Sequence, residues 1–168
     1  MRELARAVIE EARFRVTEGF PEQIRAALAT LSDAALWQRP HQGANAVGNL
    51  VIHLAGSTRL FLGRGVGGSD YVRDRPAEFA LRGPLPRGEL LALLDDVGGE
   101  ARRVLDTLDP DSLLETTDRV PGGPFSRLAL LLRVSHHWAV HTGQIVYAAK
   151  ATREGAIDEL WTRTMKGR

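Results

Sequence analysis

The chain has 168 residues, no cysteine, and 22 lysines plus arginines against 21 acidic residues, for a formal charge of +1. A chain of this size buries about 70% of its unfolded surface and builds a core without covalent staples, and the missing thiols leave nitrogen and oxygen as the protein's metal donors. The charge balance provides no long-range field for nucleic acid or an anionic membrane, which argues against polyanion binding.

From residue 2 to 31, Leu4, Val8, Ile9, Ala12, Val16, Phe20, Ile24, Ala27, Leu28 and Leu31 recur at helical spacing with charges between them, which predicts a first helix kinked at Gly19–Pro21. Its opening residues, with Arg2, Glu3 and Arg6, lack the apolar core of a signal peptide, and a cytoplasmic location is the expectation. Ser32 and Asp33 are placed to cap a short turn reaching Trp37, before the run Arg39-Pro40-His41-Gln42-Gly43 breaks the pattern. Asn45 is a plausible cap for a second helix over 46–62, with an inward line of Leu50, His53, Leu54, Ser57, Leu60 and Phe61. Residues 63–86 are rich in glycine and proline and read as a crossover loop, long enough for helices two and three to run parallel.

A third helix is predicted over 87–108 on the stripe Leu90, Leu91, Leu94, Val97, Ala101, Val104, Leu105 and Leu108, weakened or brought close to a neighbour by Gly98 and Gly99. After a loop at 110–124 with a short extended piece at 114–120, a fourth helix runs over 125–151 with an inward line of Leu130, Val134, His137, His141, Ile145 and Ala148. Ile157, Leu160 and Trp161 predict a short fifth helix at 154–165. No uncharged apolar run approaches the roughly 20 residues that cross a bilayer. Four long amphipathic segments without convincing strands make the expected fold all-α, a four-helix bundle in one domain spanning 1–168.

Three of the five histidines fall on those inward lines. His137 and His141 are four residues apart and share a helix face; His53 lies two turns inside helix two. Buried imidazoles cost roughly 1–3 kcal/mol unless their polar atoms find partners, and two readings remain open: core histidines bonded to neighbouring groups, or ligands of one metal. Neutral imidazole suits zinc, nickel, copper or iron. Trp138 stands where a zinc protease would carry its glutamate, which argues against that mechanism. His136 points about 100° away from His137, and His41 sits in a loop. Gln144 is placed to orient His141 through a hydrogen bond, or to bond another helix. The run Gly63–Gly68 lacks the Gly-Lys-Ser/Thr ending of a phosphate loop and reads as a flexible turn. Arginine predominates over lysine, with Lys150 and Lys166 the two lysines, and Arg73 or Arg75 is placed to hold an anionic substrate or simply to pair with neighbouring carboxylates.

Taken together, His53-Leu54-Ala55-Gly56, the stretch Arg73-Asp74-Arg75-Pro76-Ala77-Glu78-Phe79 and His137-x-x-x-His141-x-Gly143-Gln144-Ile145 resemble the DinB-like superfamily, in particular its DUF1572 branch. The resemblance covers nearly the whole chain. It implies a DinB-type bundle, often dimeric, with a divalent metal held by one histidine of helix two and two of helix four, positions that match His53, His137 and His141. It also implies kinship with metal-dependent transferases that use bacillithiol, mycothiol or glutathione, and with a mycothiol-dependent isomerase. This chain departs from the commoner Asn-Arg-Asp wording with Arg73-Asp74-Arg75, and carries Ser57 where asparagine is frequent.

The expectation is therefore a metal-dependent transferase or hydrolase, homodimeric and acting on a small-molecule substrate, in which zinc or nickel activates a thiol or water. No general base is nominated. The competing readings are a dimeric metal-stabilised or metal-sensing bundle without catalysis, and a metal-free interaction domain. Nucleic-acid binding finds no support in charge or motif.

Overall fold

The computed structural model describes residues 1–83 and 85–152; the predicted fifth helix lies outside the described residues. The first rod starts as α1 (Arg2–Phe14), widens into a π-helical turn at Arg15–Gly19 and continues as α2 (Phe20–Ala29). The irregularity expected at Gly19–Pro21 is a widened turn that begins one turn earlier. A π turn carries one extra residue, and here it falls just before Pro21, whose ring would otherwise crowd the carbonyl one turn back. Ser32 caps α3 (Asp33–Leu36), its Oγ accepting from the Ala35 N–H at 3.2 Å.

The second rod is α4 (Val47–Thr58), prolonged by a π turn at Arg59–Arg64. Asn45 is not its cap. Ala46 holds that position, and the Oδ1 of Asn49, three residues on, accepts from the Ala46 N–H at 3.4 Å. The glycine run that follows is packed rather than slack: a Cβ at Gly65 would stand 2.7 Å from Leu130, and one at Gly67 would stand 2.6 Å from Val104. Inside the predicted crossover loop lies a short helix, α5 (Arg75–Ala80), started by Asp74, whose carboxylate accepts from the Ala77 N–H at 3.0 Å. The third rod, α6 (Arg87–Asp106), agrees with its predicted stripe, burying Leu90, Leu94, Val97, Ala101 and Leu105. A 3-10 turn at Pro110–Ser112 follows. The expected extended piece is real but brief: β1 (Thr116–Thr117) pairs antiparallel with β2 (Phe125–Ser126), Thr116 opposite Ser126. Phe125 and Ser126 are therefore strand rather than the start of the fourth rod, α7 (Arg127–Thr152).

Side-chain contacts give the direction of each rod. Arg13 reaches Asp106, Arg102 reaches Thr17 and Arg25 reaches Asp95, so the first and third rods are antiparallel. Trp138 bonds Thr58 and Gly65 abuts Leu130, so the second and fourth are antiparallel as well. Trp37 packs on Gly48 and bonds the Leu85 carbonyl, Arg59 pairs with Glu100, and Gly67 meets Val104, so position rises together along the second and third rods. They are parallel, as the long connection allowed, and the bundle runs up-down-down-up.

The fourth rod is rotated from its predicted register. Its fully buried line is Leu130, Leu131, Val134, Trp138, Thr142, Ile145 and Ala149, while His137 and His141 are half-buried on the shoulder. Trp138 decides this. Its ring is completely buried and its Nε1–H donates to Thr58 Oγ1 at 2.9 Å, and the gain from burying an indole with its polar atom satisfied exceeds that from burying an imidazole. Seating Trp138 in the core leaves its neighbour His137 facing the bundle's mouth. Among the described residues no helix is long and apolar enough to cross a membrane.

Candidate metal centre

His53 comes from the middle of α4, which is buried on nearly every side, and is itself 5% exposed. His137 and His141 come from the shoulder of α7. The antiparallel packing of these rods brings the three rings together, with centroids 4.9 Å (His53–His137), 5.0 Å (His53–His141) and 4.4 Å (His137–His141) apart. One nitrogen from each lies within 4.8 Å of the others. Neither His136 nor His41 joins them.

The hydrogen-bond partners around the rings assign a tautomer to two of them. His53 Nδ1 is 2.8 Å from Glu78 Oε2 and 3.0 Å from Arg73 Nη2. A guanidinium only donates and a carboxylate only accepts, so the shorter contact is an Nδ1–H donating to Glu78, and Nε2 carries the lone pair. Glu78 is 6% exposed and is held in turn by Arg73, whose Nε donates to Oε1 at 2.6 Å and whose Nη2 donates to Oε2 at 2.8 Å. Burial pushes the Glu78 carboxyl up, but the bonds from His53 and Arg73 and their charges prevail and hold it below the usual carboxylate value. His141 Nδ1 donates to Gln144 Oε1 at 2.7 Å, which leaves its Nε2 free as well. An imidazole whose outer nitrogen donates to a carboxylate or amide oxygen is fixed in tautomer and orientation, the arrangement metal-binding histidines use.

At the centre, His53 Nε2 and His137 Nε2 are 3.0 Å apart. Two lone pairs at that distance repel, so either one shared proton or a common cation accounts for it. Ligands about 2.0–2.1 Å from a tetrahedral metal stand about 3.3 Å apart, so the observed spacing fits a shared ion. Burial, followed by the neighbouring His141, His53 and Arg73, lowers the His137 pKa to about 3, and burial chiefly lowers that of His141. Both rings are therefore available as neutral donors at pH 7. All-nitrogen donors of this kind suit zinc, nickel, copper or iron.

Two features of the support were not read from the sequence. Gly56, one turn past His53, is where Glu78 enters: a Cβ there would lie 2.1 Å from Glu78 Oε1. Only a residue without a side chain lets the carboxylate reach His53. Asn49, one turn before His53, donates to the carbonyls of Glu78 and Leu81, both at 2.9 Å, while Arg39 donates to its Oδ1. Asn49 thereby ties α5 and the backbone after it to α4. The signal for α5 was present in Asp74 and Pro76, a cap and a first-turn proline. That for Glu78 is its place in the motif Arg73-Asp74-Arg75-Pro76-Ala77-Glu78-Phe79, beside arginines with which it can pair.

Two of the three histidines, His53 and His137, line a cleft of about 860 Å³. Arg73 and Arg75 both line it. Arg73 is committed to Glu78, whereas the Arg75 guanidinium lies 5.0 Å from the Phe79 ring centroid. Fold and site together define a helical bundle with a histidine cluster between its second and fourth rods. The sequence model of the DinB superfamily matches residues 17–145, and the chain belongs to that superfamily. A crystal structure of a conserved protein from Enterococcus faecalis shares the fold with a TM-score of 0.66 at 18% identity, over 89% of this chain and 95% of that one. No curated protein matches the chain.

Proposed function

We propose that the protein is a metal-dependent enzyme in which His53, His137 and His141 hold one divalent ion, zinc or nickel, and that it catalyses transfer to or from a low-molecular-weight thiol of the bacillithiol, mycothiol or glutathione type, or hydrolysis. The observation that carries this reading is the open side of the triad. Nitrogens of the three rings lie within 4.8 Å of one another, His53 and His137 line a cleft of about 860 Å³, and among the described residues no fourth histidine or carboxylate joins the group. Closed four-ligand sites are structural, and three ligands with an open position are the catalytic pattern. When bound, such an ion supplies a Lewis acid that makes a thiol or water nucleophilic at neutral pH.

The chain's own residues supply placement. Glu78 and Gln144 hold the His53 and His141 imidazoles by their Nδ1 atoms, leaving Nε2 of each for the shared ion, Arg73 keeps Glu78 ionised, and Arg75 offers positive charge at the rim of the cleft for an anionic substrate. Tyr71 also lines the cleft, and burial raises its phenol pKa, so its hydroxyl stays protonated as a donor to a substrate oxygen. Kinship with the DUF1572 branch and assembly as a homodimer belong to this reading. Apolar side chains left exposed at Leu4, Leu114 and Leu132 support the dimer, and light scattering in solution tests it.

The direct test of catalysis is turnover of a chromogenic electrophile with each thiol, and of a chromogenic ester without thiol, by protein loaded with zinc or nickel and by the same protein after chelation. Metal-dependent turnover in one arm is expected. Loaded protein inactive in every arm would favour the alternative, a metal-stabilised bundle without catalysis.

A further inference from the structure

Five arginines line the cleft beside the histidines, Arg64, Arg73, Arg75, Arg119 and Arg133, against the single carboxylate of Asp118. Most of them are occupied. Arg73 is neutralised by Glu78, and Arg119 pairs with Asp70 and donates to the carbonyls of Gly68 and Ser69. Arg64 donates to the carbonyls of Arg119 and Tyr71. Arg133 differs. Its guanidinium carbon lies 4.8 Å from the Phe61 ring centroid and 5.0 Å from that of Phe125, and among the described residues it has no acceptor. Ring faces attract the positive charge but offer no oxygen, so the fork is held in place while its N–H donors are unclaimed by the described residues.

Its position gives this meaning. Arg133 precedes His137 by four residues on α7, so the two side chains are neighbours on one helix face, and both line the cleft. Leu60, Phe61, Val120 and Pro121 supply apolar wall around it. We propose that Arg133 is the seat for a carboxylate of the substrate, and that the cleft therefore takes a small organic carboxylate with an apolar body, anchored one helical turn from the histidine triad. Phe61 and Phe125 pre-position the guanidinium, which lowers the ordering cost of binding. As a statement about substrate, this rests on the enzymatic reading above; as a statement about binding, it stands on Arg133 alone.

The test titrates metal-loaded protein with 3-phenylpropionate, 3-phenylpropionamide and inorganic phosphate, using wild type, Arg133→Gln, Arg133→Lys and the remote surface control Arg6→Gln. Metal content and melting temperature are measured on the same samples. The expected result is saturation of wild type by the carboxylate about tenfold or more tighter than by the amide. That preference is lost in Arg133→Gln, partly restored in Arg133→Lys and unchanged in Arg6→Gln, with metal content and melting temperature equal throughout. Equal binding of carboxylate and amide, no saturation by millimolar carboxylate, tighter saturation by phosphate, or a preference that survives Arg133→Gln would overturn the proposal. Metal content reports separately on the triad, so loss of metal from wild type would sink the enzymatic reading without moving the carboxylate-to-amide ratio.

Discussion

Replacing Glu78 by glutamine keeps an acceptor beside His53 Nδ1 but removes the charge that the imidazole and Arg73 share. The carboxylate's role is to fix the His53 tautomer, so Glu78→Gln should weaken metal binding by about 10–100-fold, measured by competition with a chromophoric chelator. An unchanged affinity would mean that the ring is oriented by packing alone. Protonation of the triad gives a second expectation, for metal-free protein. The His137 pKa is lowered from 6.5 to about 3, so between those values the unfolded chain binds the extra proton and stability rises with pH. The contribution is fully present above pH 6.5 and drains away as pH falls toward 3, and the lowered carboxyl of Glu78 adds to the loss only below about 4.5. Wild-type melting temperature should therefore fall between pH 6.5 and 4.5, and His137→Ala should flatten that limb. A third residue is telling for the opposite reason: the buried Thr142 hydroxyl has no hydrogen-bond partner among the described residues. Thr142→Val should raise stability by about 1 kcal/mol in denaturant unfolding, and a loss would mean that the hydroxyl is satisfied in solution.

At the scale of elements, Gly56 separates helix propensity from site construction. Alanine stabilises a helix interior by about 1 kcal/mol over glycine, yet a Cβ here would stand 2.1 Å from Glu78 Oε1. Gly56→Ala should leave the helical circular-dichroism signal intact while reducing metal affinity at least as much as Glu78→Gln does; unchanged affinity would show that α5 can retreat without cost to His53. The same element shows what the sequence made legible. Helical spacing in 46–62 placed His53 on the inward side of α4, and the pair His137 and His141 was readable from its four-residue interval. The register of α7 was not, because periodicity alone does not rank an indole against two imidazoles for the core, and the Trp138–Thr58 bond that decides it joins residues 80 positions apart. The π turns at Arg15–Gly19 and Arg59–Arg64 escaped for a related reason: one extra residue in a turn shifts the phase of a stripe without breaking it. With six residues, α5 is too short to show a stripe at all.

For the whole molecule, the up-down-down-up order has a functional consequence. Parallel second and third rods require a long connection, and this one, residues 65–86, carries Arg73, Arg75, α5 and Glu78 back over the face of α4 that bears His53. A short hairpin in its place would leave His53 Nδ1 without its carboxylate. Asn49, with bonds to two carbonyls of that connection, anchors it to the bundle, and Asn49→Ala should destabilise the fold by about 1–3 kcal/mol and loosen metal binding together. The measurement that bears most directly on the account is the zinc and nickel content of untagged protein, wild type beside His53→Ala and His137→Ala. About one ion per chain in wild type, with little or none in either folded variant, is the predicted result; equal trace amounts in all three would contradict it.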